Sequence, residues 1–335
     1  MSRILITGGA GFVGSHLADA CIKAGHEVHV TVRPGGCDQR LRHLAGTVVI
    51  HRVDLRSGEN LATCLADARP NLIFHLAASP RRPVRPHLED ATENIREYLD
   101  SLVTLLAKAS DAQHPPDRIV RTGSVAEYGS APTPHREETR EQPESVYAAG
   151  LVAAAHYVGA LQSRLPFPVV TARLSLIYGP RQSTEYLIPY LIASCLKGVH
   201  ATVHRPSDRR DLVFVEDAVD ALLLMADAEL AGATVINVAS GYAPTMRDVA
   251  RLVLASTSAS PDLIEYGHGS GSREASVLRS SPDLAKRMLG WQARTPLDEG
   301  LARTVDWYRQ QGNPDRAEDD RPSMGSATCH QSGAM

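Results

Sequence analysis

The feature that most constrains this chain is a run of glycines placed directly after its first apolar segment. Residues 3–7 (Arg-Ile-Leu-Ile-Thr) are typical of a short buried strand, and helical spacing begins at Phe12. The glycines of Thr7–Gly14 satisfy both the G-x-G-x-x-G and the G-x-x-G-x-x-G spacing. Such glycines permit a tight turn and a close backbone approach to a pyrophosphate, which the following helix N-terminus stabilises. A strand, a glycine turn and a helix in this order predict a dinucleotide-binding unit. Its expected contact residues are Gly8, Gly11, Phe12, Val13 and Gly14.

Apolar strand-like segments alternate with helix-like segments through the first half of the chain. This alternation predicts an α/β fold, a doubly wound Rossmann-type parallel sheet with helices on both faces. The predicted strands are 3–7, 27–32, 48–51, 72–76, 118–122 and 168–174, and the predicted helices include 12–24, 87–109 and 146–163.

The rhythm changes after residue 174, and this change defines the expected domains. We expect a dinucleotide-binding domain over residues 1–174, whose sheet is completed by a return of the chain over about 211–239. Residues 175–311 are expected to form a smaller, interleaved substrate-binding lobe. Residues 312–335 are rich in Asp, Ser, Gly and Pro and poor in apolar residues, which predicts a disordered tail.

The composition excludes several classes of partner. Of 335 residues, 35 are basic and 38 acidic, so the net charge of −3 gives no reason to expect nucleic acid or an anionic membrane. Five dispersed cysteines without a C-x-x-C pair argue against a disulfide framework or a metal site and favour a reducing compartment. No apolar run approaches the roughly 18 residues of a membrane span, and the glycine motif leaves no room for a leader. A cytoplasmic enzyme, with homodimerisation allowed, is the expectation.

The end of the second predicted strand indicates which dinucleotide is bound. NAD enzymes usually carry an acidic residue there to hold the ribose hydroxyls. Here the strand ends apolar and is followed by Arg33, with Arg40 seven residues later. Because arginine forms a bidentate fork for phosphate, the 2′-phosphate of NADPH is the expected ligand, with a solvated basic loop as the alternative.

Later strand ends supply the remaining expected cofactor contacts. Asp54 and Leu55 follow the third strand and are expected at the adenine. Leu76, Ala77 and Ala78 follow the fourth strand and are expected along the diphosphate and the nicotinamide ribose.

Taken together, a series of further motifs resembles the extended short-chain dehydrogenase/reductase superfamily, in its NAD-dependent epimerase/dehydratase group. The resemblance spans nearly all of residues 1–310. It includes Thr7–Gly14, Asp54-Leu55, His75–Ala78, Gly123-Ser124 ahead of Glu127–Gly129, Tyr147, Arg173, Tyr178–Arg181, Arg210-Asp211, Val215–Ala218 and Leu289–Trp291. The resemblance implies that Ser124 hydrogen-bonds the substrate oxygen and that Tyr147 exchanges a proton with it. Thr31–Pro34 and Arg40–Leu44 look more like the NADPH-dependent ketone reductases of the same superfamily.

The sequence departs from the family at the residue that should assist Tyr147. A family lysine four residues after the tyrosine would lower its pKa, but Leu151 stands there. An unassisted tyrosine has a pKa of about 10 and is a poor base at neutral pH. No lysine or arginine follows before Arg164, so the helix supplies no substitute.

Substrate-side positions depart as well. Nucleotide-sugar members usually carry asparagine three residues after the strand arginine, and Leu176 stands there. Gly267–Ser272 is a glycine/serine run where those enzymes tend to have a basic segment. Arg210 and Arg273 remain as candidates for phosphate contacts.

These observations favour reduction. Epimerases and dehydratases first oxidise an alcohol and need a competent base, whereas ketone reduction needs only a proton donor. We therefore expect an NADPH-dependent stereospecific ketoreductase acting on a small-molecule ketone, such as an aromatic polyketide in antibiotic biosynthesis. Ser124 would polarise the carbonyl, and Tyr147 or the substrate itself would supply the proton. The alternatives are a nucleotide-sugar 4-ketoreductase or epimerase and, in another class, a non-catalytic NADP-binding sensor or scaffold.

Overall fold

The computed structural model describes residues 1–77, 86–267 and 275–311. Ala78, Arg273 and the predicted tail therefore lie outside the described residues.

Seven parallel strands form the central sheet, in the order β11-β6-β5-β4-β1-β2-β3. Three further pairs, β10-β7, β12-β8 and β13-β9, lie outside it. The predicted α/β fold with a Rossmann-like parallel sheet is confirmed. In chain order the strands are β1 (Arg3–Thr7), β2 (Glu27–Val32), β3 (Val48–Arg52), β4 (Leu72–His75), β5 (Arg118–Ser124), β6 (Val169–Leu174), β7 (Leu176–Tyr178), β8 (Ala201–Val203), β9 (Arg209–Arg210), β10 (Leu212–Phe214), β11 (Val235–Val238), β12 (Ile264–Tyr266) and β13 (Val277–Leu278).

Helices cover both faces of this sheet. Ile4 and Ile6 of β1 join the core on the side of α1 (Phe12–Lys23) and α7 (Val215–Asp227). Leu5 joins the core on the side of α2 (Gly58–Ala68), α4 (Ser101–Ser110) and α5 (Val146–Leu161). This alternation follows from the two-residue period of a strand. Because both faces of β1 are buried, its sequence is almost continuously apolar. No helix in the described ranges is long and apolar enough to cross a membrane. The helices are α1 (Phe12–Lys23), α2 (Gly58–Ala68), α3 (Glu89–Asn94), α4 (Ser101–Ser110), α5 (Val146–Leu161), α6 (Leu187–Lys197), α7 (Val215–Asp227), α8 (Met246–Thr257), α9 (Asp283–Leu289) and α10 (Leu297–Gln311).

The helix predicted over 87–109 begins two residues later than expected and is not α-helical throughout. A 3₁₀ turn at Pro86–Leu88 precedes α3, and a π-helical segment, Ile95–Asp100, separates α3 from α4. His87 and Leu88 have positive φ angles of 56° and 60°, so no α-helix can begin before Glu89. Apolar spacing does not distinguish one wide π turn from an α turn, and the sequence pattern therefore missed it.

The return of the chain to the main sheet is narrower than predicted. The end of the expected span 211–239 does return, because β11 lies beside β6. The beginning of that span does not, because β10 pairs with β7 in a separate two-stranded sheet. A second apolar cluster surrounds that small sheet and packs helices α6, α8 and α10 together.

Candidate active site

The glycine turn between β1 and α1 forms a tight cradle. The N–H of Gly11 donates to the carbonyl oxygen of Gly8 at 2.9 Å. Gly8 has a φ of +73°, and a Cβ there would lie 2.9 Å from Cα of Ala77. A Cβ on Gly14 would collide with the Gly8 carbonyl oxygen, so this position also needs glycine. Because α1 begins at Phe12, its first N–H groups have no partner within the helix and can bind a diphosphate.

A cleft of about 660 Å³ opens beside this cradle. Its volume is in the range of small-molecule and cofactor sites. Seven of the expected cofactor residues line it, namely Gly8, Gly11, Arg33, Asp54, Leu55, Leu76 and Ala77. Phe12, Val13 and Gly14 are not among the lining residues but form the first turn of the helix behind the cradle.

Ion pairs hold the charged side chains at the end of the cleft where the adenosine is expected. The guanidinium of Arg33 pairs with the carboxylate of Glu97, which reaches it from the π-helical segment. Asp54 accepts from Nη2 of Arg56 at 2.6 Å, and this hydrogen bond holds the pKa of the Asp54 carboxyl below its usual range. Of the three arginines that line the cleft, Arg33 and Arg56 are thus each paired with a carboxylate of the protein.

Arg40 is not brought to this cleft. Its Nε donates to the carbonyl oxygen of Arg181 at 2.8 Å, and Arg40 is not among the residues that line the cavity. This bond ties the 3₁₀ segment Gln39–Leu44 to the loop after β7. The contact joins residues 141 positions apart, which sequence spacing could not reveal.

Ser124 and Tyr147 are brought together at the carboxyl end of β5. Ser124 is the last residue of β5 and caps the 3₁₀ turn Val125–Tyr128. Ser145 caps α5 by accepting from the N–H of Ala148 at 3.2 Å, which places Tyr147 in the first turn of that helix. The Ser124 side chain lies close enough to the Tyr147 hydroxyl to act as its hydrogen-bond partner and to lower its pKa. The structure thus forms the serine–tyrosine pair that the sequence motifs indicated.

The surroundings of Tyr147 favour its neutral form. The ring is partly exposed, but desolvation of the hydroxyl raises the pKa of Tyr147 to about 12. The hydrogen bond from Ser124 opposes this rise, and the charges of Glu127 and Tyr186 add to it. Among the described groups that shift this pKa, none is a cation.

Leu151 lies one helical turn after Tyr147 on α5. It is 3% exposed and lines a small void together with Tyr98 and Arg121. Tyr98, from the π-helical segment, meets the Tyr147 ring edge to face with ring centroids 5.7 Å apart. An apolar side chain and an aromatic ring therefore occupy the neighbourhood of the phenol.

A buried carboxylate supports this end of the sheet. Oε1 of Glu127 accepts from the N–H of Ser124 at 2.8 Å, and Oε2 accepts from Nε of Arg173 at 2.8 Å. Arg173 also pairs with Glu141. A Cβ on Gly123 would collide with the Glu127 carboxylate, so the glycine makes room for it. The sequence motifs contain Glu127 without indicating a role for it, although Gly123 and Arg173 mark its place.

On the substrate side, Leu176 and Arg210 differ in their surroundings. Leu176 is 38% exposed at the start of β7. Arg210 donates to Oδ2 of Asp208 at 2.7 Å and to the carbonyl oxygen of Ser276 at 2.9 Å. Arg210 is thus held in place by the small sheet that β9 forms with β13.

Comparisons with known sequences identify the family of this chain. The model of the NAD dependent epimerase/dehydratase family matches residues 4–239. A UDP-glucose 4-epimerase of Mycolicibacterium smegmatis is 30% identical over 319 residues, covering 92% of this chain and 98% of that protein. A dTDP-glucose 4,6-dehydratase of Neisseria gonorrhoeae is 29% identical over 335 residues, covering 91% of this chain and 95% of that protein.

Solved structures agree with this assignment. MoeE5 in complex with UDP-glucuronic acid and NAD superposes with a TM-score of 0.80 at 30% identity, covering 92% of this chain and 99% of that chain. The UDP-glucose 4-epimerase of Thermotoga maritima, at 23% identity, shares the fold with a TM-score of 0.82 over 92% of this chain and 99% of its own. The chain therefore belongs to the NAD-dependent epimerase/dehydratase family, as the sequence motifs indicated.

Proposed function

We propose that this protein is an NADPH-dependent nucleotide-sugar 4-ketoreductase, which reduces a keto group on a nucleotide-linked sugar to the alcohol. The observation that carries the direction of the reaction is the environment of Tyr147. Burial raises its pKa to about 12, and no described cation lowers it. The phenol is therefore a proton donor at neutral pH.

The same pKa argues against chemistry that starts with oxidation. An epimerase or a dehydratase must first remove a proton from a sugar hydroxyl, and the phenolate is the base available at this position. With a pKa of about 12, only about one phenol in 10⁵ is ionised at pH 7. Reduction uses the abundant neutral form and avoids this penalty.

Ser124 and Tyr147 have different roles in the proposed reduction. The bound dinucleotide supplies the hydride to the keto carbon. The hydroxyl of Ser124 donates a hydrogen bond to the keto oxygen, which polarises the carbonyl and stabilises the developing negative charge. The hydroxyl of Tyr147 transfers its proton to that oxygen, and solvent reprotonates the phenolate.

The substrate class is supported by the relatives. The similar curated proteins are named as enzymes of UDP- and dTDP-linked sugars, and MoeE5 was solved with UDP-glucuronic acid. These names favour a nucleotide sugar over a free natural-product ketone. In this chain Arg210, fixed by Asp208, is the described candidate for a diphosphate contact.

The preference for NADPH is supported by Arg33. No acidic residue occupies the end of β2 or the position directly after it, and Arg33 lines the cleft there. A guanidinium there suits a 2′-phosphate, which would compete with Glu97 for it. The similar structure MoeE5 contains NAD, so the preference is a property proposed for this chain alone.

One observation favours a second candidate, the reduction of a natural-product ketone such as an aromatic polyketide. Leu176 is 38% exposed at the position where nucleotide-sugar members usually carry asparagine. An exposed leucine suits an apolar substrate better than a sugar diphosphate.

Single-turnover oxidation of NADPH separates these functions. We expect oxidation with a UDP- or dTDP-linked 4-keto-6-deoxy sugar and much slower oxidation with a polycyclic aromatic ketone. We also expect no interconversion of UDP-glucose and UDP-galactose. Efficient interconversion would contradict the proposal in favour of an epimerase. Absence of NADPH oxidation with every ketone would favour the non-catalytic alternative.

A further inference from the structure

A buried guanidinium lies next to the site without full hydrogen bonding. Arg121 of β5 is 2% exposed, and its Nη1 finds no acceptor within the described parts of the chain. Burial lowers the pKa of Arg121 to about 10, while Glu127 opposes this and Arg173 adds to it. The side chain therefore stays charged at neutral pH. A buried charge that lacks a partner is costly, so its position needs an explanation.

The position of Arg121 links the cofactor cleft to the serine–tyrosine pair. Arg121 lies opposite His75 of β4 in the sheet register. It lines a void of about 10 Å³ together with Ala77, Tyr98 and Leu151. Ala77 also lines the cofactor cleft, and Tyr98 contacts Tyr147. The void that Arg121 lines is thus bordered by Ala77, which also lines the cleft, and by Leu151 of the helix that carries Tyr147.

The other groups around this void leave the charge of Arg121 largely unbalanced. Burial, with a smaller effect from the charge of Arg121, lowers the pKa of His75 to about 3, so the imidazole is neutral. Nδ1 of His75 is hydrogen-bonded to Oγ1 of Thr7 at 2.8 Å. Glu127 attracts Arg121 but is itself paired with Arg173. Leu151 and the remaining apolar wall keep the dielectric low, which strengthens the effect of the charge.

We propose that Arg121 sets the redox preference of the bound nicotinamide, by disfavouring the cationic oxidised ring relative to the neutral reduced ring. The ring must lie near Ser124 and Tyr147 for hydride to reach the carbon whose oxygen they contact. The charge of Arg121 is not among those that shift the Tyr147 pKa, and it would act on the ring from the side of Ala77, where it repels the oxidised form and leaves the neutral reduced form unaffected. The protein then binds the hydride donor and releases its oxidised product, as a reductase requires. This inference rests on the proposed function for the direction of the reaction.

Binding measurements without any sugar substrate test the inference. The dissociation constants of NADP⁺ and NADPH, and of NAD⁺ and NADH, are measured by isothermal titration calorimetry. We expect the protein to prefer the reduced form of the cofactor pair that it binds. Arg121→Met should shift the ratio of the two constants toward the oxidised form by about tenfold. Arg121→Lys, which keeps the charge, should hold most of the preference.

Two further variants separate charge from folding. Arg118→Met changes an arginine of the same strand whose Nη1 donates to the carbonyl oxygens of Met225 and Ala226 at 2.9 and 3.0 Å, and the ratio should stay unchanged. Leu151→Glu places a carboxylate on another wall of the void and should shift the ratio as Arg121→Met does, with Arg121 still present. It keeps the inference testable if Arg121→Met does not fold.

An unchanged ratio in Arg121→Met or, where that variant does not fold, in Leu151→Glu would overturn the inference. If the ratio shifts as expected but no keto sugar is reduced, the proposed function fails and the inference about Arg121 stands.

Discussion

The rings of Tyr98 and Tyr147 meet edge to face, with their centroids 5.7 Å apart and their planes at 72°. Tyr98 reaches this contact from the π-helical segment, and Leu151 fills the space one turn farther along α5. An aromatic ring and an aliphatic side chain exclude water without offering a charge. This packing explains why the Tyr147 pKa lies above the ordinary value and why the site suits proton donation.

Removing the phenol should slow reduction only moderately. A well-matched general acid contributes about 10²–10⁴-fold, and an acid whose pKa lies far above neutrality gives less. We expect Tyr147→Phe to lower single-turnover reduction by about 10²-fold or less, with cofactor affinity unchanged. Tyr157→Phe, on an exposed part of the same helix, is the matched control. Complete loss of reduction would show that no other proton source exists.

The rate of reduction should not change with pH near neutrality, where the tyrosine of a lysine-assisted enzyme would ionise. Tyr147 is active in its protonated form, and this form persists until the pH nears the raised pKa of about 12. We therefore expect the single-turnover rate to show no loss from Tyr147 ionisation between about pH 6 and 9. The stability of the fold depends on pH in the same direction. The raised pKa of Tyr147 stabilises the fold below pH ~10, and this contribution is lost as the pH rises from ~10 toward the raised pKa. A decline of the rate with an apparent pKa near 7 would contradict this account.

Arg33 should distinguish the two dinucleotides. We expect Arg33→Ala to weaken NADPH by about 10–100-fold, the value of a charged hydrogen bond to phosphate, and NADH only slightly. Arg52→Ala removes an exposed arginine paired with Asp38 and serves as the control. Equal weakening of both cofactors by Arg33→Ala, measured by fluorescence titration, would refute the phosphate assignment.

Replacing Glu97 should strengthen the binding of NADPH, whereas replacing Arg33 should weaken it. It pairs with Arg33 in the described structure, so a 2′-phosphate has to replace its carboxylate. Glu97→Gln removes this competition, and we expect NADPH to bind several-fold more tightly with NADH unchanged. Glu59→Gln, on the exposed face of α2, is the control. Weaker NADPH binding in Glu97→Gln would indicate that the carboxylate positions Arg33 for the phosphate.

Glu127 should matter for stability. Its carboxylate is fully buried and accepts from both Ser124 and Arg173, so its neutralisation leaves the buried guanidinium of Arg173 with Glu141 as its remaining described carboxylate partner. We expect Glu127→Gln to lower the free energy of unfolding by about 3–5 kcal/mol in urea denaturation. Glu141→Gln, at the more exposed end of the same arginine, should cost less. Equal small effects from both variants would show that the ion pair contributes little.

The parts of the site that could be predicted from the sequence are those built by local patterns. The glycines between β1 and α1, the ends of β3 and β4, and the Ser124–Tyr147 pair follow from strand order and short motifs. In a parallel sheet all strands end at one edge, so residues after successive strands meet there.

The parts that could not be predicted depend on side chains meeting over long sequence distances. The π-helical segment brings Glu97 to Arg33 and Tyr98 to Tyr147, but its apolar spacing resembles that of an ordinary helix. Arg121 stands in a strand that also carries Arg118 and Thr122, and only the packing shows that its guanidinium is buried beside Leu151.

The ionisation of Tyr147 is the quantity on which the proposed direction of the reaction depends most directly. It can be measured by ¹³C NMR of protein labelled at the tyrosine ζ carbon, with the signal assigned by its disappearance in Tyr147→Phe. We predict that this signal stays at the neutral phenol position up to about pH 10, with and without NADPH. A transition to the phenolate near pH 7 would contradict the proposal, because the site would then hold a competent base for oxidising a sugar alcohol.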